Sequence, residues 1–230
     1  MSIGTFSNIR KVQSFNELIA YPFRQGINAV GWQRSLQGNF EELVVKLNTS
    51  ETLTQVTEQD LRDLELSDEG SLARNTILND LQLLSAQGAA PILNIIDYYE
   101  RDSSNPFFPT DVYSFHVDRS PFANDTYLCT YYGACSELLA NEDAEQLIQV
   151  ETIRANMRQH FKGSDSDFET YLIDNYYDLH YRAKSGAQPY RLGLGELWRL
   201  AGDYPNSKTL PCIHRAPLEN KGEKRLMLIC

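Results

Sequence analysis

His116 and Asp118 stand two apart in the stretch YSFHVDRSPFANDTYLCTYYG, residues 113–133. Side chains alternate between the two faces of an extended chain, so Tyr113, Phe115 and Val117 share one face while Ser114, His116 and Asp118 share the other. An imidazole nitrogen beside a carboxylate oxygen is half of a divalent-metal site. The other half is predicted near the C-terminus, where LPCIHRAPLENKGEKRLMLIC carries His214 and, eleven positions later, Arg225. Two histidines and one carboxylate leave open coordination positions, the donor set that non-haem Fe(II) oxygenases use. A guanidinium beyond the second histidine can take the far carboxylate of a dicarboxylate co-substrate bidentately. The competing reading puts the polar face of 114–118 in solvent and pairs Arg225 on the surface beside Glu223 and Lys224.

The same triad also suits Zn(II), because nitrogen and oxygen ligands accept several metals. A non-catalytic metal-binding β-barrel, for zinc handling or ligand binding, is therefore one alternative. A zinc hydrolase is another; it needs a general base near the bound water, and Glu137 is the nearest candidate in sequence. Tyr127, Tyr131 and Trp198 are candidate pocket walls. His160, in MRQHFKG, is read as a helix-end residue where a cation meets the helix dipole favourably. His180, in YYDLHYRAK, has Asp178 two positions away, but on a helix such residues point in different directions, so it is read as aromatic packing. RLGLGELW has G-x-G without a third glycine and does not support dinucleotide binding. Cys129 and Cys212 are read as small buried apolar residues.

The elements that must position these groups follow from composition and periodicity. A chain of 230 residues, 42% hydrophobic and 11% aromatic, buries a substantial core as one domain. Its 21 Lys and Arg against 31 Asp and Glu give a net charge of -10, which opposes nucleic acid. There is no signal-like or membrane-spanning apolar run, so a soluble, cytoplasmic protein acting on a small molecule is expected. Four irregularly spaced cysteines argue against a disulfide framework. Residues 1–89 read as a mainly helical layer: Phe40, Leu43, Val44 and Leu47 recur at helical spacing, as do Leu72, Ile77, Leu81 and Leu84 before a stop at Gly88. Residues 90–140 and 187–230 read as the β core, with strands over 91–99, 112–118, 125–132, 191–199, 209–214 and 224–229. Residues 141–186 read as a helical insertion, with Ser164 or Asp165 capping its second helix. The expected class is α+β, a helical layer against a β-sandwich or barrel.

Three blocks carry a resemblance: GINAVGWQRSL, FHVDRSPFANDTYLCTYYGACSELL, and GELWRLAGDYPNSKTLPCIHRAPLENKGEKRLMLIC. Together they resemble domain-of-unknown-function family 1826, a bacterial family. Its strand order is in turn similar to the double-stranded β-helix, the jelly-roll or cupin-like barrel of iron and 2-oxoglutarate dependent oxygenases. That resemblance implies His116, Asp118 and His214 as Fe(II) ligands and Arg225 as the 2-oxoglutarate anchor.

Overall fold

The computed structural model describes residues 6–47, 50–102, 104–176 and 179–230. In chain order the N-terminal part runs β1 (Ile9–Val12), α1 (Phe15–Ala20), β2 (Ala29–Trp32), α2 (Phe40–Lys46), β3 (Leu53–Val56), α3 (Glu58–Arg62), α4 (Asp68–Ala86) and β4 (Ile92–Ile96). There follow β5 (Phe115–His116), β6 (Asp125–Tyr132), β7 (Glu137–Leu139), β8 (Ala144–Gln146), α5 (Glu151–His160), α6 (Asp165–Tyr176) and β9 (His180–Ala183). The last elements are β10 (Tyr190–Arg191), β11 (Leu197–Ala201), β12 (Ile213–Arg215) and β13 (Arg225–Ile229). Among the described residues no helix is long and apolar enough to cross a membrane.

The strands form two antiparallel-rich sheets. The first is ordered β1-β2-β11-β6-β13-β4-β3 and the second β10-β7-β12-β5-β9-β8. Among the described residues the β1–β2 pair is the parallel one in the first sheet, in register Ile9 with Ala29. Strand alternation assigns the two faces of the first sheet. Cys129 and Tyr131 of β6 and Leu226 and Leu228 of β13 join Leu18, Leu43, Leu61, Ile77 and Leu84 of the helices in one apolar cluster. The opposite face contributes Ala29, Leu128, Trp198 and Leu200, which meet Leu138 and Cys212 of the second sheet in another. The chain is thus an α+β protein with helices on one side of a sheet and a second sheet on the other. Phe115, Val117, Leu139 and Ile213 form a further cluster on the outer face of the second sheet.

The helical layer obeys its local signals. Ser67 caps α4 by accepting the Gly70 amide, Asp68 and Glu69 occupy the first turn, and the helix stops just before Gly88, whose φ of 82° suits a residue without Cβ. Its buried Asp80 accepts from both Arg34 nitrogens, one at 2.7 Å, and from the Tyr131 hydroxyl at 2.7 Å. This buried charge is therefore paired and hydrogen-bonded, as burial demands. Tyr131 also stacks on Phe40 with centroids 5.6 Å apart, which fastens β6 to α2.

Three sequence expectations change. Residues 1–89 carry helices but also contribute β1, β2 and β3 to the first sheet; four-residue strands such as IRKV are too short to announce a period of two. The expected strand over 191–199 is two strands in different sheets, because Gly193 and Gly195 (φ 77°) turn the chain between them. The insertion 141–186 does hold α5 and α6, the latter beginning directly after Ser164, but its ends pair as β8 and β9 on the second sheet. His180 consequently lies on a strand, not on a helix.

Candidate metal centre

The centre is built across the β5–β12 pair. His116 and His214 are direct cross-strand partners, and their rings lie 4.6 Å apart, centroid to centroid. Asp118 follows His116 on the same face and brings Oδ2 to 3.5 Å from His214 Nε2 and Oδ1 to 4.0 Å from His116 Nε2. One donor atom from each of the three lies within 4.8 Å of the others. Ligands at about 2.0–2.2 Å from a common ion sit roughly 3–3.5 Å from one another, so the widest pair must close by up to about 1.3 Å to complete the set.

Neighbours hold all three side chains. His116 Nδ1 is 2.8 Å from the Ser114 carbonyl and His214 Nδ1 is 3.2 Å from the Cys212 carbonyl. A carbonyl can only accept, so each Nδ1 carries the proton and each Nε2 presents its lone pair toward Asp118, the arrangement metal-bound histidines use. The Thr126 hydroxyl, from β6 of the facing sheet, donates to Asp118 Oδ2. The backbone around the pair is fixed by Val117 N to Leu179 O at 3.0 Å and Asp203 N to Asp118 O at 2.8 Å.

Electrostatics favour a cation in this place. Burial, and then the neighbouring His214, push the His116 imidazole down to about 4, so it is neutral at pH 7. Burial by itself would raise the Asp118 carboxyl, but His214, the Thr126 hydrogen bond and His116 outweigh it and hold Asp118 below the ordinary carboxylate range. A neutral His116 and an ionised Asp118 are the protonation states a divalent ion requires of them. The Asp118 side chain is 41% exposed, against 15% and 8% for the histidines, so the open side of the triad is the aspartate side.

Arg225 leaves β13 on the face opposite Leu226 and Leu228, toward the β6–β7 connection between the sheets. Its Nε donates to the Ala134 carbonyl at 2.7 Å and one terminal nitrogen to Ser136 Oγ at 3.4 Å, while Nη1 is buried without a hydrogen-bond partner. It is 1% exposed and is no surface residue. Burial lowers its pKa, with Tyr99 and Glu219 opposing.

The remaining candidates are not brought to the triad. Tyr127 and Tyr131 lie on the helix-facing side of β6. Trp198 is buried between the sheets, but at the β10 end, against Tyr190 with Lys11 over its ring. Glu137 is opposite Arg215, one residue out of phase with His214 and its partner Leu138, so it sits on the other face and binds Arg215 at 2.7 and 2.9 Å. It is not positioned as a base for a metal-bound water. His160 ends α5 with its ring against Phe107. All four cysteines are free thiols; Cys129 lies beside Arg34 in the helix-facing core, and Cys212 supplies the carbonyl for His214.

Sequence reasoning set His180 aside as aromatic packing on a helix. It pairs with His116 across β5–β9, their rings 6.0 Å apart, and its Nδ1 is 3.2 Å from Ser114 Oγ. It faces a cavity of about 390 Å³ lined also by Ser104, Asn105, Thr110 and Asn175. Alternation in HYRA was the available signal, obscured by the helical pattern upstream; Asp178 lies outside the described residues. Thr126 could have been found as the second residue of a strand facing the H-x-D face.

Comparison with protein-family models, with curated proteins and with solved structures finds no match to this chain. The reading of the centre therefore rests on its own residues.

Proposed function

We propose that the chain is a non-haem Fe(II) protein that uses 2-oxoglutarate and O2 to oxidise a small molecule, on a double-stranded β-helix. The observation that carries this is the convergence of His116, Asp118 and His214 with their outward nitrogens anchored on backbone carbonyls. Strand order supports the fold: β4, β13, β6 and β11 are neighbours in one sheet and β5, β12, β7 and β10 in the other, so the chain crosses repeatedly between sheets. The orphaned, buried Nη1 of Arg225 supports the co-substrate, since an unpaired guanidinium nitrogen away from water is costly unless an anion completes it.

His116, Asp118 and His214 would hold the ion, and Arg225 with Ser136 would hold the distal carboxylate of the 2-oxo acid. Bound Fe(II) and 2-oxoglutarate would supply the oxidising chemistry; the protein supplies position and electrostatics. Thr126 orients the Asp118 carboxylate, the Ser114 and Cys212 carbonyls fix the two rings, and the apolar residues between the sheets limit water.

Anaerobic titration tests it. The purified protein takes up one Fe(II), and 2-oxoglutarate then produces a visible charge-transfer band. His214→Ala loses high-affinity metal uptake, whereas Arg225→Ala retains metal and weakens the 2-oxoglutarate response. Preference for Zn(II) with no band and no 2-oxoglutarate binding would replace the oxygenase by a zinc-binding barrel.

A further inference from the structure

A cavity of about 370 Å³ lies between the β4–β5 connection and the second sheet, lined by Arg101, Tyr113, Glu137, Arg191, Arg215 and the 216–218 loop. We propose that it is a binding site for a small multivalent oxyanion, a phosphate group or a polycarboxylate, separate from the metal centre. Three arginines from three elements converge on it: Arg101 from the connection, Arg191 from β10 and Arg215 from β12. With Glu137 the lining residues sum to a formal charge of about +2, and Asp111 and Glu219 stand behind Arg101 and Tyr113.

The carboxylates present do not use up these donors. Each guanidinium offers five N–H groups in a fixed fork. Arg215 spends two nitrogens on Glu137 Oε2. Arg191 stands 3.5 Å from Glu137 Oε1 and is 71% exposed, and Arg101 stands 3.6 Å from Asp111 and is 56% exposed. Glu137 therefore acts as a strut that aims Arg215 and Arg191 rather than as a ligand that saturates them. Arg101 lies on the Tyr113 ring with its guanidinium carbon 3.7 Å from the centroid, which leaves the N–H edge in plane and available. That platform is itself rigid: the Tyr113 hydroxyl donates to Glu219 at 2.8 Å and accepts the Tyr99 amide at 2.8 Å.

Glu137 and Arg215 lie on the opposite face of the second sheet from His214, so this site and the triad do not share a ligand. An oxyanion with three or more acceptor oxygens can meet three forks at once, which a single carboxylate cannot. The apolar Pro217 and exposed Leu218 at the rim would cover the non-anionic part of a larger ligand.

The test uses the full chain stripped of metal by chelator and dialysed, at pH 7.5 and low ionic strength, titrated with inorganic phosphate and, separately, with citrate by calorimetry. Saturable binding of one equivalent of either probe is expected, with phosphate alone indicating a phosphate site and citrate alone a polycarboxylate site. Arg101→Ala with Arg191→Ala should weaken it at least tenfold, and these exposed positions leave the circular dichroism unchanged. His214→Ala should bind as the wild type does. Failure of both probes to saturate, affinity unchanged in the double arginine variant, or loss of binding in His214→Ala would each overturn the proposal.

Discussion

Acid should destabilise the metal-free protein through His116, by an amount that follows from its burial. In the unfolded chain the imidazole takes a proton near 6.5, but in the folded chain not until about 4. Between those values the unfolded state binds more protons, so the stability conferred by a neutral His116 is fully present above pH 6.5 and is lost as pH falls through the window. Linkage over these two pKa values gives a loss of roughly 2.5 kcal/mol between pH 7.5 and 4.5. Asp118 has the opposite chemistry but the same slope: its depressed carboxyl lends stability above its ordinary range near 3.8, and that part is lost only at lower pH. His180, also held below its usual range by burial, loses stability in the same direction, so the share of His116 is read as the difference between the wild type and His116→Asn. Urea titrations of chelated protein, followed by circular dichroism at both pH values, measure the loss. His116→Asn has nothing to titrate there and should lose less than the wild type by roughly 2.5 kcal/mol, whatever its stability at pH 7.5. Equal losses in the two proteins would mean that His116 is not held neutral among His214 and Asp118, and the geometry argued for the centre would be wrong.

Other perturbations read other parts of the molecule. Thr126→Val removes the hydroxyl that orients Asp118 and should lower Fe(II) affinity by about 10–100-fold with little change in stability, measured by competition with a metallochromic chelator. Asp80→Ala strips the partner from a half-buried Arg34 and should cost about 3–5 kcal/mol in urea unfolding, while Tyr131→Phe, which removes one hydrogen bond, should cost about 1–2 kcal/mol. Gly133→Ala places a Cβ 2.7 Å from the Lys224 carbonyl at a φ of 84°; about 1–3 kcal/mol of destabilisation is expected, together with weaker 2-oxoglutarate binding because Arg225 packs against the same spot.

How far the sequence spoke for the structure depended on the length of each signal. The 19-residue α4 had period and stop: Ile77, Leu81 and Leu84 are buried as read and the helix ends before Gly88, whereas Leu72 is exposed and the Ser67 cap was not read. The H-x-D pair could be assigned a common face because alternation needs only three residues, and His214 because IHR lies in an apolar run. Strands β1, β2 and β3 could not be read, since four residues give two points per face and β2 is paired by β11, far along the chain. Glu137 shows the limit of proximity in sequence: near the site in number, it is turned away by one residue of register. His180 shows the converse, a residue distant in number that pairing brings beside His116.

β13 lies between β4 and β6, so the middle of the first sheet is filled by the segment synthesised after both of its neighbours. Until Arg225–Ile229 has left the ribosome, β4 and β6 each present an unsatisfied edge with apolar side chains, a template for pairing with another chain. Non-local closure of this kind is slow, because the loop must be closed before any contact rewards it. Nascent chains stalled ahead of this strand should therefore be the form of the protein that chaperones hold and that aggregates most readily.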